Sequence, residues 1–169
     1  MAGSGRRADD GVFDPEGVAW TRVSPRLATV RRIGSVISHL VLLVPAVVVA
    51  VATDTPWVVL LWLPFAAHLV LRLVVIGRQV AALGYAERED DLLVRRGLLF
   101  RSLVVVPYGR MQYVDVSAGP VDRRFGIATV QLHTASAGTD ASIPGLPPAE
   151  AERLRDRLAS RGEARLAGL

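Results

Sequence analysis

The sequence predicts an α+β membrane protein in which a two-helix transmembrane hairpin is followed by an antiparallel β-sheet that a C-terminal helix closes. Three observations predict this class. Residues 33–77 form an apolar run whose only formal charges are Asp54 and Arg72. Beyond Gly77 the apolar residues fall in short alternating runs that turn residues separate. Near the end of the chain their spacing becomes that of an amphipathic helix.

Residues 33–77 are long enough for two membrane spans, because a helix needs about 20 mostly apolar residues to cross a hydrocarbon core about 30 Å thick. The polar cluster at residues 53–56 divides the run into two such stretches, and Pro56 favours a turn. A soluble protein buries two helices of this kind only beneath a large shell of other elements. The rest of the chain is too short and too polar to supply that shell, so we predict a hairpin that crosses the bilayer twice.

Residues 1–32 are predicted to be a disordered leader followed by a basic juxtamembrane segment. Residues 1–17 are rich in glycine, alanine and aspartate and contain few apolar residues. Residues 18–32 are amphipathic, with Trp20 and four arginines. They suit either a segment at the lipid headgroups or a solvated linker. A cleaved signal peptide is disfavoured because a second span follows the first immediately.

Arginines flank the hairpin on the side of both chain ends. Four of them precede the first span, and Arg78 and Arg88 follow the second, whereas the turn between the spans carries only Asp54. Positively charged flanks stay in the cytoplasm. We therefore expect a multi-pass protein of the inner cell membrane with both termini in the cytoplasm.

Four polar residues inside the hairpin form a candidate intramembrane cluster. Ser35 and His39 are one turn apart on the first helix, and His68 and Arg72 are one turn apart on the second. In an antiparallel hairpin all four lie at similar depth, in the cytoplasmic half. One interpretation is structural: the polar groups bond across the helices while Arg72 reaches the headgroups. The other is a pocket for an anionic lipid headgroup or another acidic ligand.

Residues 78–162 are predicted to form a soluble domain on the cytoplasmic side. Turn residues such as the pair Gly119-Pro120 separate short runs with strand-like alternation. The predicted strands cover residues 85–89, 92–96, 103–106, 111–116, 127–134 and 141–143.

One helix is predicted after the last strand. It starts at Pro147-Pro148, and Gly162 stands where a C-terminal cap is expected. Ala151, Leu154 and Leu158 fall on one stripe, which we expect to pack on the sheet. Residues 163–169 are predicted to be a frayed tail.

Two short motifs in the predicted sheet make a resemblance specific. The chain has Pro-Tyr-Gly-Arg-Met-Gln at residues 107–112 and Arg-Arg-Phe-Gly at residues 123–126. These motifs, behind an apolar hairpin, resemble the bacterial PH-like domain family and in particular its YdbS-like membrane branch. The resemblance covers residues 33–158. It implies a PH-like antiparallel β-sheet or barrel capped by a C-terminal helix.

The resemblance also implies which partners to expect. It implies pairing with a membrane protein of the same family and a role in envelope maintenance or stress. Eukaryotic PH domains often bind phosphoinositides through basic residues in the first hairpin loop. Here that loop is expected at residues 89–91, which read Glu-Asp-Asp and repel phosphate. An extended segment of a protein partner along a sheet edge is therefore the expected ligand of the domain.

Arg110, Arg123 and Arg124 are the candidate surface for that partner or for anionic lipid. Exposed arginines next to an anionic membrane each gain about 1 kcal/mol. The alternative is a set of solvated charges, or of charges paired internally with Asp115 or Asp122.

No catalytic, metal or cofactor site is predicted. The chain has no cysteine, and its three histidines show none of the spacings of zinc motifs. The net charge of +4 is small, and in a membrane protein it indicates orientation and anionic lipid rather than nucleic acid. Two function classes remain. Either the anchored domain docks a protein, or the hairpin binds a lipid or small ligand with the soluble domain as support or gate.

Overall fold

The computed structural model describes residues 15, 17–55, 60, 62–135 and 140–168, except for the side chain of Leu166. Most of the predicted leader, Pro56 in the predicted turn and the last residue of the predicted tail lie outside these residues.

Two long helices form the hairpin, α1 (Arg26–Ala52) and α2 (Trp62–Ala81). At 1.5 Å per residue they are about 40 Å and 30 Å long, which is enough to cross a bilayer. Only 17% and 11% of their most apolar 18-residue stretches are buried. A core helix of a soluble protein is mostly covered, whereas here large apolar side chains such as Val51 face outward. The predicted transmembrane hairpin is confirmed.

The two helices run antiparallel and contact each other through polar groups. The Arg32 guanidinium donates from Nε to the backbone oxygen of Leu73 at 3.1 Å. Further along, the rings of His39 and His68 approach to 3.2 Å between nitrogens. Both pairs join residues that the predicted hairpin places at similar depth.

Helix α1 begins before the predicted boundary at residue 33. Its first turns belong to the soluble domain, because Leu27 and Ala28 lie in the hydrophobic core together with Val23. The residues before them, Thr21–Arg22, form a short strand, β1. Residues 18–32 are thus not a solvated linker, because part of this segment packs into the soluble domain. Their amphipathic pattern reflects the face by which α1 packs on the domain.

Two antiparallel sheets form the soluble domain. The first has four strands in the order β1-β2-β3-β4, and the second has three in the order β5-β6-β7. The predicted strands are confirmed with small changes at their ends. A 3₁₀ turn at Tyr108–Arg110 and a short helix, α3 (Pro120–Arg124), were not predicted. The remaining strands are β2 (Gly84–Glu87), β3 (Asp91–Arg96), β4 (Ser102–Pro107), β5 (Met111–Ser117), β6 (Ala128–Thr134) and β7 (Ala141–Leu146).

The last helix, α4 (Pro148–Ala167), covers the core. As predicted, Ala151, Leu154 and Leu158 are fully buried. The predicted end at Gly162 is wrong, because the helix continues through this residue into the predicted tail. Gly162 is buried, and a Cβ there would lie 3.7 Å from the backbone oxygen of Tyr108. Its small size therefore fits the close approach of α4 to the 3₁₀ turn.

Both membrane helices attach to the same end of the four-stranded sheet. Strand β1 runs into α1, and α2 runs into β2, with Arg22 paired to Gly84. The transmembrane hairpin is therefore the connection between the first two strands of this sheet. The acidic loop at residues 89–91 was expected to be the first loop of the sheet. It joins β2 to β3 and is therefore the second connection. Sequence patterns do not reveal a strand of two residues, which explains the difference.

Candidate functional site

The intramembrane cluster is centred on a pair of histidines. His39 is 7% exposed, and its Nδ1 lies 2.7 Å from the backbone oxygen of Ser35. A carbonyl oxygen only accepts hydrogen bonds, so this nitrogen carries a proton. In a neutral His39 the Nε2 is then an acceptor, and Nδ1 of His68 donates to it across 3.2 Å. One chain of hydrogen bonds thus fixes the tautomers of both rings.

Aromatic rings lie beside His39 on the side of the hairpin turn. The centroids of His39 and Phe65 are 4.5 Å apart, and Trp62 meets Phe65 edge to face at 4.9 Å. The two imidazoles are stacked with centroids 5.4 Å apart. His39 is therefore buried, whereas His68 is exposed on the surface of α2. Ionisable side chains within a membrane-spanning segment are candidates for binding a proton or an acidic group.

Three of the four predicted cluster residues come together, and Arg72 does not join them. Ser35 contributes its backbone oxygen, to which the hydroxyl of Ser38 also donates at 2.9 Å. Within the described residues, Arg72 is exposed and makes no hydrogen bond or ion pair with another side chain. The arginine that bridges the helices is Arg32. Sequence reasoning missed Ser38 and Arg32. Ser38 lies one helical turn after Ser35, and Arg32 lies at the depth of Arg72 in the hairpin.

The three motif arginines do not form one surface. Arg110 ends the 3₁₀ turn that precedes β5, whereas Arg123 and Arg124 lie on α3, beyond the other end of this strand. Seven strand residues at about 3.3 Å each put about 20 Å between the two groups. Arg123 lines an open cleft near the end of β5 together with Glu152. The single basic surface predicted from the sequence is therefore corrected to two separate positions.

Strand β4 presents an unusual edge. Among the described strands it pairs with β3 alone and ends the order of its sheet. Its residues read Ser-Leu-Val-Val-Val-Pro, without a charge, and Val105 is 42% exposed. Natural edge strands usually carry charges, bulges or a covering element that blocks pairing with another chain. Within the described residues, the terminal proline is the one such feature of this edge, so its unpaired backbone groups can accept a further strand.

No catalytic or metal-binding arrangement stands out in the part of the chain that the structure describes. It contains no group of three or more histidine, aspartate or glutamate side chains that could hold a metal ion. The pair His133 and Asp140, 3.4 Å apart, lies near the end of β6. The Asp140 pKa is lowered chiefly because the backbone N–H of Thr134 donates to this carboxylate. That geometry fits a structural link between β6 and β7.

Comparison with known proteins agrees with this architecture. A family model described as "Bacterial PH domain" matches residues 27–162, about four fifths of the chain. Over 74 residues the chain is 39% identical to the UPF0699 transmembrane protein YdbS of Bacillus subtilis (strain 168). This match covers 44% of the chain and 45% of the relative, so the chain spans less than half of that protein's length. No solved structure matches the chain.

Proposed function

Because this chain belongs to the bacterial PH domain family, we propose that it is a membrane-anchored interaction module whose soluble domain docks a protein partner. The observation that carries the proposal is the charge-free, unpaired edge of β4. A partner segment in extended conformation adds a strand to such an edge, where backbone hydrogen bonds supply affinity and side chains supply specificity.

The partner we propose is a second membrane protein of the same family. The hairpin holds the docking edge close to the bilayer, which raises the effective concentration of partners in the same membrane. The arginine flanks support a location of the domain on the cytoplasmic face of the inner membrane, because positively charged flanks stay in the cytoplasm. A reporter enzyme fused to the C-terminus, active only in the cytoplasm, checks this orientation. The envelope is the setting in which such a pair acts, in its maintenance or under stress.

Substituting Val105→Lys tests the docking edge. The side chain is partly exposed, so lysine is tolerated by the fold but places a charge on the edge that opposes strand addition. We expect cross-linking in membranes, followed by affinity purification in detergent, to recover a stoichiometric family member with the natural chain and to lose it with this variant.

The matched control is Val121→Lys on α3. Val121 is 46% exposed and Val105 is 42% exposed, so both variants add the same charge at similar exposure. The control variant should keep the partner. Equal recovery of the partner with both variants would show that docking does not use β4.

A second function is favoured by the paired histidines inside the hairpin. In this alternative, the hairpin binds an anionic lipid or a small acidic ligand beside His39 and His68, and the soluble domain is a support or gate. Native mass spectrometry of the purified protein should then detect a retained ligand. Replacing His68 and Arg72 together by leucine should remove it, whereas Val74→Ala on the same helix should not. A ligand retained equally by both variants contradicts this function.

A further inference from the structure

The tip of the β3–β4 hairpin carries two large apolar side chains that the described residues of the protein leave exposed. Leu99 is 88% exposed and Phe100 is 93% exposed. Single apolar residues on a surface are common, but adjacent ones at the tip of a loop mark contact with a partner or a membrane. Packing against the part of the chain that the structure describes does not account for them.

The conformation of this tip is tightly specified. Gly97 has φ +96°, in the left-handed region that favours glycine, and a Cβ at this position would overlap the backbone oxygen of Phe100. Across the base of the tip, Nε of Arg96 donates to the hydroxyl of Ser102 at 3.3 Å. The turn therefore holds Leu99 and Phe100 outward as a defined feature of the fold.

The strand register places the tip at the end of the sheet to which both membrane helices attach. Arg95 pairs with Gly84, the first residue of β2 after α2. Gly84 pairs in turn with Arg22, which leads into α1. Only Arg96, the last residue of β3, lies between Arg95 and Gly97, so the two are about 7 Å apart along the chain. The tip therefore projects at the end of the domain that lies beside the bilayer.

The charge of the surrounding sequence matches an anionic lipid surface. Between Leu92 and Val106 the only charged residues are Arg95, Arg96 and Arg101. Arginine side chains are attracted to the negative surface of an anionic leaflet. The turn at the opposite end of β3 is different, because it carries Glu-Asp-Asp at residues 89–91 and no large apolar side chain.

We propose that the β3–β4 tip is a third membrane contact, which inserts Leu99 and Phe100 into the headgroup–acyl boundary of an anionic bilayer. Apolar side chains flanked by arginines bind in this way, at depths of about 5–10 Å. The insertion fixes the tilt of the four-stranded sheet, and with it the direction in which the β4 edge faces. The proposal depends on the membrane hairpin but not on the docking of a protein to β4.

The absence of natural cysteines permits a direct test. Leu99→Cys in the full-length chain is labelled with an environment-sensitive fluorophore and incorporated into nanodiscs of phosphatidylcholine and phosphatidylglycerol. We expect a blue-shifted emission that nitroxide lipids quench. The matched control is Glu89→Cys, which is exposed in the turn at the other end of the sheet. Its label should show neither effect.

Two outcomes overturn the proposal. If the label at position 99 is quenched no more than the label at position 89, the tip lies in water. If its emission is blue-shifted but unquenched, protein rather than lipid covers the tip, as a second copy or a partner would.

A second variant separates insertion from the fold. Phe100→Ser on the Leu99→Cys background should reduce quenching to the level of position 89 without a change in thermal unfolding, because Phe100 is 93% exposed. Nanodiscs of phosphatidylcholine alone should also lower the quenching at position 99. Quenching that survives Phe100→Ser, or that is equal in both lipid compositions, contradicts the proposed contact.

Discussion

At the scale of single residues, Glu150 links the capping helix to the four-stranded sheet. Its carboxylate accepts a hydrogen bond from the hydroxyl of Tyr85 at 2.5 Å and two from the guanidinium of Arg153 at 2.6 and 2.8 Å. Arg153 also donates to Glu87 on β2 at 2.9 Å. The bonds from Arg153 lower the Glu150 pKa from 4.5 to about 2, although partial burial opposes the shift.

This shift predicts a pH dependence of stability. A carboxyl group with a depressed pKa in the folded state stabilises the fold fully above pH 4.5, and this contribution is lost as pH falls towards 2. Since Glu150 is partly exposed, we expect Glu150→Gln to lower the free energy of unfolding by about 1–2 kcal/mol at neutral pH. The variant should also show a flatter dependence of stability on pH over this acidic range.

Thermal unfolding of the full-length protein in detergent, followed by near-ultraviolet circular dichroism, measures both effects. Glu152→Gln is the control, because this exposed side chain lies on the same helix. Equal loss of stability in the two variants, or an unchanged acid profile in Glu150→Gln, would show that the network is not a stabilising link.

At the scale of elements, the contact between α1 and β7 joins the membrane anchor to the soluble domain. The backbone N–H of Ser24 donates to the oxygen of Gly145 at 2.8 Å. Gly145 has φ +78°, and a Cβ there would lie 2.8 Å from the Cβ of Leu27. The glycine therefore meets two requirements at once, an unusual backbone conformation and the close approach of α1.

Gly145→Ala should weaken this junction. Strain at the positive φ and the clash with Leu27 together should cost about 1–3 kcal/mol. We expect a lower thermal midpoint and faster hydrogen exchange in residues 21–30, measured by mass spectrometry in detergent. Gly34→Ala is the control, since a Cβ at Gly34 meets open space. A variant of Gly145 that exchanges like this control would argue against a tight junction.

Elements with a strong periodic pattern could be predicted from the sequence, and elements fixed by distant contacts could not. The two spans, the strands and the stripe of Ala151, Leu154 and Leu158 were predicted because each shows its own period. Strand β1 has only two residues, and it exists because β2 provides backbone partners more than sixty residues later. The continuation of α4 past Gly162 likewise depends on the 3₁₀ turn against which it packs.

At the scale of the whole molecule, the membrane anchor and the PH-like domain form an interlocked unit. The family and the hairpin-then-sheet order were predicted from the motifs at residues 107–112 and 123–126 and from the apolar run. The family match confirms the first, and the order of helices and strands confirms the second. The candidate sites were predicted less well. The antiparallel hairpin predicted the contact between His39 and His68. No pattern in the sequence indicated that the length of β5 separates Arg110 from Arg123.

The insertion of the hairpin between β1 and β2 also sets the order in which this protein is made. Thr21 of β1 pairs with Tyr85 of β2, which lies after both spans in the sequence. The ribosome therefore synthesises both spans before β1 and β2 of the four-stranded sheet can pair. Until residues 84–85 are synthesised, the nascent chain has an unpaired β1 and an incomplete core. The soluble domain can therefore close only after the whole membrane anchor has been synthesised.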